Sequence, residues 1–501
     1  MARLFKMGTL SLALMVALAL QGQNASNLVP RSSFYSQALK ANRLGLLGRF
    51  VDIHQWEAAE KDMRFFPDTS LPALKGTLFI YSDTFAVSHH ATRLAQLMVG
   101  QELAHQPAGI APKARLHVHD IIDYKTQVQV YAEHGMQISL HAYNQNLGWS
   151  RETLPFWGGL EAIDSTEDFH WGRYTQDSRW WDSLAHRYPE LLVVRSAGNS
   201  LGEYFEGEHL LYAPFQKLNG KQDYRLKRSK KVRDSDGGFP AFDCLTPDAV
   251  TKNGLTVGAV WPSPEGDLQL VANSSVGPTD DGRVKPDVVA VGEQTSESAA
   301  AVAAGLALLT EYYQLNYTHK PPAHLLKNFL ISGAEDLDGM PGPDYKSGWG
   351  AVNLERSVDL INPRSFQLLK IAPKDTLVLL LSPFNENIRA TLVWTDLPGE
   401  PVPFSLAPSI LNNRKNLLRL DLDMWLVVKT QPQKVHLPFV LDPIHPARPA
   451  QKGKNKIDNV EQVALSSSTK EGVRVFIVNN ASVAVSASLV LKGAHFNYAP
   501  Q

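Results

Sequence analysis

A helical pattern runs from residue 294 to residue 309 of the chain. Alanine fills five of the six positions 299–304, and Val302, Leu306 and Leu309 form one apolar face at helical spacing. The pattern predicts a buried helix that approaches its neighbours closely. Ser296 lies at the predicted start, where unpaired backbone N–H groups and the positive end of the helix dipole can stabilise an oxyanion. Ser296 is therefore a candidate nucleophile, although a serine here can also be only an N-cap.

Other apolar runs predict strands on both sides of this helix. Residues 49–56 alternate in polarity around Val51 and Ile53, residues 135–141 read as a strand, and residues 191–196 form an apolar strand that runs into Ala-Gly-Asn. Beyond residue 363 the chain changes to short β-rich runs separated by Pro, Asn and Lys clusters, which indicates an antiparallel sandwich.

Composition and charge limit the classes of protein to consider. The 501 residues are 44% hydrophobic and 20% charged with a net charge of -1, so we expect two domains and no nucleic-acid partner. A basic run at residues 225–233 is interpreted as a solvated loop. Cys244 is the sole cysteine, so no internal disulfide can form.

The N-terminus has the pattern of a signal peptide. Arg3 and Lys6 precede an apolar run at residues 7–20, which is shorter than the roughly 20 residues of a membrane span. We therefore expect cleavage after residue 22, no transmembrane anchor, and export to the periplasm, cell surface or medium.

The block Gln294-Thr295-Ser296-Glu297-Ser298-Ala299-Ala300 follows three further blocks at residues 253–260, 274–279 and 281–292. Together they resemble the C-terminal half of the subtilisin-like serine proteases, the subtilases or peptidase family S8. The nucleophile block of that family usually reads Gly-Thr-Ser-x-Ala-x-Pro, so Ser296 matches while Gln294 and Ala300 depart. Only three residues separate Gly292 from Ser296, where the family usually has a longer loop and a strand.

The resemblance implies two further site residues. The predicted helix start at residues 89–100 is similar to the family block His-Gly/Ala-Thr-His-Val-Ala-Gly, which makes His90 the general base, although Arg93 and Gln96 depart. The Ala-Gly-Asn sequence makes Asn199 the side-chain donor to the oxyanion. Residues 109–116 and 347–353 also resemble family segments.

The acid that orients the histidine is less clear. The family's first strand ends apolar-x-apolar-x-Asp, which places Gln55 at that position. Asp52 is the fallback, but it lies three residues earlier and would face the other side of a strand. Asp62 and Asp83 are further alternatives. A neutral Gln55 predicts impaired catalysis, since an Asp-to-Asn change in a trypsin-type triad costs about 10⁴ in turnover.

Substrate and ion sites also follow from the resemblance. Ser139, Leu140 and His141 would lie beside an extended polypeptide substrate. The C-terminal part resembles the jelly roll of some bacterial and kexin-like subtilases, and a structural Ca²⁺ is possible there, although alternating acids are also typical of a solvated strand face. No cofactor is required. The ion candidates are Asp421, Asp423, Asp458 and Glu461.

These observations predict an α/β fold, with a subtilisin-like parallel sheet flanked by helices, followed by a C-terminal antiparallel β-sandwich. The boundaries we expect are a signal peptide (1–22), an N-terminal segment too short for a folding prosegment (23–45), a peptidase domain (46–362) and a sandwich (363–501). The predicted function is an exported serine endopeptidase of impaired activity. The alternatives are an inactive pseudoprotease that binds peptides or acts as a scaffold, and a sandwich that anchors the chain to a surface or glycan.

Overall fold

The structure is a computed structural model of the whole chain. It describes residues 44–60, 63–80, 85–104, 107–145, 147–150, 154–160, 168–217, 222–232, 242–337, 339–382, 387–401, 416–465 and 472–497. The predicted signal peptide and the candidate acids Asp62 and Asp83 lie outside these residues. Within the described ranges, no helix combines the length and apolar character that crossing a membrane requires.

The first part of the chain alternates strands and helices. Its strands are β1 (Asp52–Glu57), β2 (Ala59–Glu60), β3 (Met63–Phe66), β4 (Leu78–Ile80), β5 (Ala86–Val87), β6 (Arg115–Asp120), β7 (Ile138–His141), β8 (Trp149–Ser150), β9 (Phe156–Leu160), β10 (Leu192–Ser196), β11 (His209–Gln216), β12 (Gln222–Ser229), β13 (Leu255–Pro262), β14 (Leu268–Leu270) and β15 (Val288–Val291). Its helices are α1 (His89–Val99), α2 (Tyr124–Glu133), α3 (Gln176–Arg187), α4 (Thr295–Asn316), α5 (Ala323–Gly333) and α6 (Leu354–Asp359).

A mostly parallel sheet forms the centre of this part. Among the described residues its order is β14-β13-β10-β7-β1-β6-β4, with β15 paired to β13, and only β14 runs antiparallel to its neighbour. Helices α1 and α4 pack on one face, while α2 and α3 cover the other. The predicted parallel sheet flanked by helices is confirmed.

Helix α4 is buried along most of its length, as its pattern predicts. Residues 299–304 have no solvent exposure, and the helix crosses the sheet face beneath β13, β10 and β7. Close approach explains the small residues, since a Cβ added at Gly305 would lie 2.6 Å from Leu354 Cδ2. The helix therefore fixes the position of Ser296 within the packed core.

Antiparallel strands form the C-terminal part, as predicted. They are β16 (Phe366–Ile371), β17 (Thr376–Leu381), β18 (Ile388–Trp394), β19 (Leu422–Val428), β20 (Val435–His436), β21 (Phe439–Val440), β22 (Gln451–Lys452), β23 (Val460–Leu465), β24 (Val473–Asn479) and β25 (Val485–Lys492). Two sheets, ordered β16-β25-β18-β23 and β17-β24-β19-β20, enclose a separate apolar core.

The sandwich is joined to the first part through buried contacts. Val393, Val460 and Val490 belong to the core beneath the parallel sheet. The fully buried ion pair between Lys252 and Asp396 also crosses this boundary. Cutting the chain near residue 363 would expose both features to water, which argues against a sandwich that acts as an independent anchoring domain.

Candidate active site

Ser296 is held at the start of a buried helix. Strand β15 ends at Val291, and Gln294 is the N-cap of α4, so a turn of three residues leads from strand to helix. The Glu293 N–H donates to Glu297 Oε2 at 3.1 Å across this turn. Ser296 is therefore the second residue of the helix, where free backbone N–H groups are available to an oxyanion. Its hydroxyl is buried and makes no hydrogen bond to any described residue.

His90 is the second residue of helix α1. Ser88 caps this helix, because its hydroxyl accepts a hydrogen bond from the Ala91 N–H at 3.1 Å. The imidazole is 39% exposed and lines the same cavity as Ser296. The Nδ1 atom lies 3.1 Å from Glu57 Oε1 and 3.3 Å from Glu57 Oε2. A proton on Nδ1 is donated to this carboxylate, which leaves Nε2 as the basic nitrogen.

The acid beside His90 is Glu57, a residue that sequence reasoning missed. Glu57 is the last residue of β1 and is almost fully buried. Gln55 lies two residues earlier on the same face of the strand and donates to Glu57 Oε2 and to the Ala91 carbonyl, both at 3.4 Å. The prediction that Gln55 faces the histidine is therefore wrong. Strand β1 continues for two residues beyond the expected position, and a glutamate there reaches the imidazole.

Asp52, the fallback acid, lies on the other side of the sheet. It accepts hydrogen bonds from Arg115 and from His117, the latter at 3.0 Å. This placement follows from the strand period of two, which turns residues an odd number apart to opposite faces. The same rule contained a signal for the correct acid, because Ile53, Gln55 and Glu57 share one face.

The electrostatics of the pair suit a general base. Burial alone would lower the pKa of His90, but the hydrogen bond and negative charge of Glu57, together with the charge of Glu297, raise that pKa above its usual value. The pair therefore favours the protonated imidazole, which is the form produced when the base takes a proton from the nucleophile.

Asn199 follows strand β10 and also lines the cavity. Its Oδ1 accepts hydrogen bonds from the Thr295 N–H at 3.1 Å and from the Thr295 hydroxyl at 3.0 Å. Because these contacts occupy the amide oxygen, the Nδ2 group is directed away from Thr295 and is the candidate donor to an oxyanion. Thr295 precedes the candidate nucleophile, so one residue links the Asn199 amide to Ser296.

His90, Asn199 and Ser296 share one cavity of about 520 Å³. The predicted substrate residues do not line it. Ser139, Leu140 and His141 have no solvent exposure, and the Ser139 hydroxyl accepts a hydrogen bond from Trp56 Nε1 at 3.0 Å. This prediction is wrong because β7 is covered by helices on both faces, and the chain reaches the cavity only after the strand. The lining residues are His90, Ala142, Tyr143, Asn144, Gln145, Leu147, Trp149, Ser150, Ser196, Gly198, Asn199, Ser200, Glu203, Thr246, Gln294 and Ser296.

Arg93, which departs from the family block, is neutralised by two acids near the nucleophile. Its guanidinium lies 2.6 Å from Glu293 Oε2 and 2.7 Å from Glu297 Oε1. These contacts tie helix α1 to the first turn of α4. Arg93 therefore connects the helix that carries His90 to the helix that carries Ser296.

The four candidate ion ligands do not form one site. Asp421 and Asp423 both accept from Asn480 Nδ2, Asp458 accepts from the Val284 N–H, and Glu461 accepts from the Met424 N–H. Across the described ranges, no group of three or more His, Cys, Asp or Glu side chains is arranged to hold a metal ion. Burial raises the pKa of Glu461 well above its usual value, which favours its neutral form.

Comparison with known proteins agrees with this geometry. The family model described as "Subtilase family" (Peptidase_S8) matches residues 81–350, just over half of the chain. The chain therefore belongs to the subtilase family of serine peptidases. A search of curated proteins finds no match.

Solved structures that match this chain include proteases. The Aeromonas sobria serine protease, solved with its chaperone ORF2, is 13% identical with a TM-score of 0.43, over 90% of this chain and 89% of that one. Fervidolysin from Fervidobacterium pennivorans, a keratinolytic enzyme related to subtilisin, is 13% identical with a TM-score of 0.43. The match covers 88% of this chain and 60% of fervidolysin. The prenylagaramide maturation protease PagA is 16% identical with a TM-score of 0.41, and the match covers 65% of this chain and 98% of PagA.

Proposed function

We propose that this chain is an active serine endopeptidase whose catalytic set is Ser296, His90 and Glu57. The observation that carries the proposal is the contact of 3.1 Å between His90 Nδ1 and the Glu57 carboxylate, on the wall of the cavity that also contains Ser296. The neutral Gln55 was the reason to expect impaired catalysis. That reason no longer applies once a carboxylate holds the imidazole.

In the proposed reaction, Ser296 Oγ attacks the carbonyl carbon of a peptide bond and transfers its proton to His90 Nε2. Glu57 stabilises the imidazolium, while Asn199 Nδ2 and a backbone N–H at the start of α4 bind the oxyanion. The imidazolium then protonates the departing amine as the C–N bond breaks, which leaves an acyl-enzyme. Water, deprotonated by His90, then attacks the ester carbonyl. The imidazolium returns the proton to Ser296 Oγ as the C–O bond breaks, which releases the second product. No cofactor takes part, and a structural Ca²⁺ stays a prediction.

Labelling with a fluorophosphonate tests this proposal. We expect one equivalent of label on Ser296 and hydrolysis of casein by the wild-type protein, because the histidine is oriented by a carboxylate. The Ser296→Ala variant is the matched control and should show neither label nor hydrolysis. Absence of label from folded wild-type protein would contradict the proposal.

A second candidate function is a pseudoprotease that binds peptides. It is favoured by the Ser296 hydroxyl, which makes no hydrogen bond to His90 or to any other described residue. The labelling experiment separates the two functions. A folded protein that binds peptides but leaves Ser296 unlabelled would be the pseudoprotease.

We also propose export, supported by the charged and apolar pattern of the first 22 residues. When the full chain is expressed in a bacterium, we expect the mature protein outside the cytoplasm. Mass spectrometry of the purified protein should then show loss of the predicted signal peptide. Recovery of the intact N-terminus from the cytoplasm would argue against export.

A further inference from the structure

A basic strand at the surface is not used by the proposed reaction. The sequence predicts a solvated loop for the basic run at residues 225–233, but residues 225–229 lie in strand β12. The side chains of Lys227, Arg228 and Lys230 are exposed to solvent. A chain with a net charge of -1 therefore concentrates positive charge along one strand.

Acids of the protein neutralise only part of this charge. Arg228 forms an ion pair with Glu208, the residue before strand β11. Among the described residues, no carboxylate forms an ion pair with Lys227 or Lys230. Two positive charges are therefore available to a negatively charged ligand.

Strand β12 is also the open edge of its sheet. In the part of the chain that the structure describes, the sheet order is β12-β11-β9-β8, and β12 pairs with β11 alone. An edge strand exposes N–H and C=O groups that can pair with another extended segment. The lysines would repel a second copy of β12, whereas they would attract an acidic segment. The edge thus favours an extended polypeptide with Asp or Glu side chains.

Apolar side chains lie beside the basic ones. Tyr212 of β11 is paired in register with Leu226 of β12, and these residues are 39% and 55% exposed. The Tyr212 ring packs edge-on against Phe156 of β9, with ring centroids 5.1 Å apart. Cross-strand partners share one face of a sheet, so this surface can bury an aliphatic or aromatic side chain of a bound segment. The surface therefore suits a segment in which acidic and apolar residues are mixed.

The same sheet reaches the active-site cavity. Its other edge strand, β8, consists of Trp149 and Ser150, and both line the cavity that contains Ser296. At the usual spacing of neighbouring strands, β8 and β12 are about 14 Å apart, which an extended polypeptide spans with about four or five residues. A segment on β12 can thus belong to the polypeptide whose peptide bond lies beside Ser296.

We propose that strand β12 is a second substrate-binding surface, which holds an acidic segment of the polypeptide several residues away from the scissile bond. Lys227 and Lys230 attract its Asp and Glu side chains, and the open edge of β12 pairs with its backbone. Tyr212 and Leu226 bury its apolar side chains. The inference rests on the proposed peptidase function and names the substrate class as polypeptides with an acidic, extended segment near the cleavage site.

Fluorescence anisotropy with the Ser296→Ala variant measures this binding without turnover. The probes are fluorescein-labelled peptides in which Leu alternates with either Glu or Gln. We expect the Glu peptide to bind about tenfold more tightly at low salt, since two exposed ion pairs contribute up to about fivefold each. Raising the ionic strength to about 1 M, where the screening length is about 3 Å, should remove the difference.

Two double variants locate the site. In the Ser296→Ala background, Lys227→Glu with Lys230→Glu should abolish the preference for the Glu peptide. Lys370→Glu with Lys434→Glu makes the same change in net charge at exposed positions of the C-terminal sandwich and should leave the preference intact. Equal binding of the two peptides, or the same loss in both double variants, would overturn the inference. Binding of phosphatidylserine vesicles or duplex DNA without binding of the Glu peptide would overturn it as well.

Kinetics of the wild-type protein separate this inference from the proposed catalysis. A cleavable peptide is extended by Glu-Leu repeats before or after the scissile bond, and Gln-Leu repeats are the control. We expect at least one placement to lower KM about tenfold with kcat unchanged, because the extension is bound equally in the ground state and the transition state. Selective binding of the Glu peptide to Ser296→Ala supports the surface even if the wild type proves unreactive. An active peptidase that prefers Glu in neither placement would show that β12 is not a substrate site.

Discussion

The Glu57→Gln variant is expected to lose about 10⁴ in kcat for peptide hydrolysis. The magnitude is that of the Asp-to-Asn change in a trypsin-type triad, where the neutral amide fails to hold the imidazole in its reactive tautomer. Here the change removes the carboxylate that lies 3.1 Å from His90 Nδ1. Steady-state kinetics with a fluorogenic peptide, on protein whose folding is verified by circular dichroism, measures the effect.

The same variant should change the pH profile in a predictable direction. Glu57 raises the pKa of His90 against the opposing effect of burial, so its loss should lower that pKa. Because only the neutral imidazole acts as a base, the acid limb of kcat/KM should move to lower pH. A purely structural role for Glu57 would reduce the rate without moving the limb.

Two variants on the same strand serve as controls. Asp52→Asn, on the opposite face and paired with Arg115 and His117, should change kcat by no more than a few-fold. Glu57→Asp keeps the charge and should retain more activity than Glu57→Gln. If Glu57→Gln stays within tenfold of the wild type, or if Asp52→Asn is equally damaging, the assignment of Glu57 is wrong.

The comparison of Gln55 with Glu57 shows what the sequence could and could not predict. Order and type of the elements followed from periodicity, because an apolar strand and an alanine-rich helix have few other ways to pack. The residue at which strand β1 ends could not be predicted, because a strand can extend by two residues without any change in its alternation. The sequence alone favours Gln55→Asp as a gain of activity. The structure instead places that residue 3.4 Å from Glu57, where a second buried carboxylate would repel the first and lower kcat.

The substrate strand shows a second limit of the sequence. Residues 138–141 were correctly predicted as a strand, but burial on both faces depends on helices α2, α3 and α4 that pack against it from distant parts of the chain. Local sequence carries no record of those contacts. Ser296, His90 and Asn199, by contrast, each follow a recognisable pattern at the end of an element, and the structure brings all three to one cavity.

The histidines behind the active site should make the protein sensitive to acid. His54 stacks on His117 with ring centroids 4.6 Å apart, and Trp56 of the same strand stacks on His119 at 4.4 Å and on His141 at 5.7 Å. His54 Nδ1 lies 3.0 Å from His119 Nε2. Rings in such a buried stack are stable when neutral, since added protons would repel one another without access to water.

The pKa values follow from this arrangement. Burial, followed by the nearby His119 and His117, lowers the pKa of His54 to about 2, and burial with His117 lowers that of His119 to about 3. Burial, with the charge of Arg195 next, holds the pKa of His141 well below its usual range. Burial also lowers the pKa of His324, in helix α5, to about 4. His54, His119 and His324 therefore stay neutral in the folded protein at pH 5.

Because the unfolded chain binds protons at these residues below about pH 6.5, stability should fall as the pH falls through that value. Each of His54, His119 and His324 contributes about 2 kcal/mol of lost stability between pH 7.5 and pH 5. Groups with raised pKa values act in the opposite direction, among them His90, Glu297, Asp396, Asp421, Asp458 and Glu461. We expect the histidines to prevail, with a net loss of stability between pH 7.5 and pH 5.

Urea unfolding followed by tryptophan fluorescence at pH 7.5, 6.5, 5.5 and 5.0 measures this dependence. His54→Gln removes one of the protons that unfolding takes up and should flatten the slope by about 1.4 kcal/mol per pH unit below pH 6. His186→Gln, at the exposed end of helix α3, should leave the slope as it is. A wild-type stability that is constant between pH 7.5 and pH 5, or a His54→Gln slope equal to that of the wild type, would show that the buried histidines do not control acid stability.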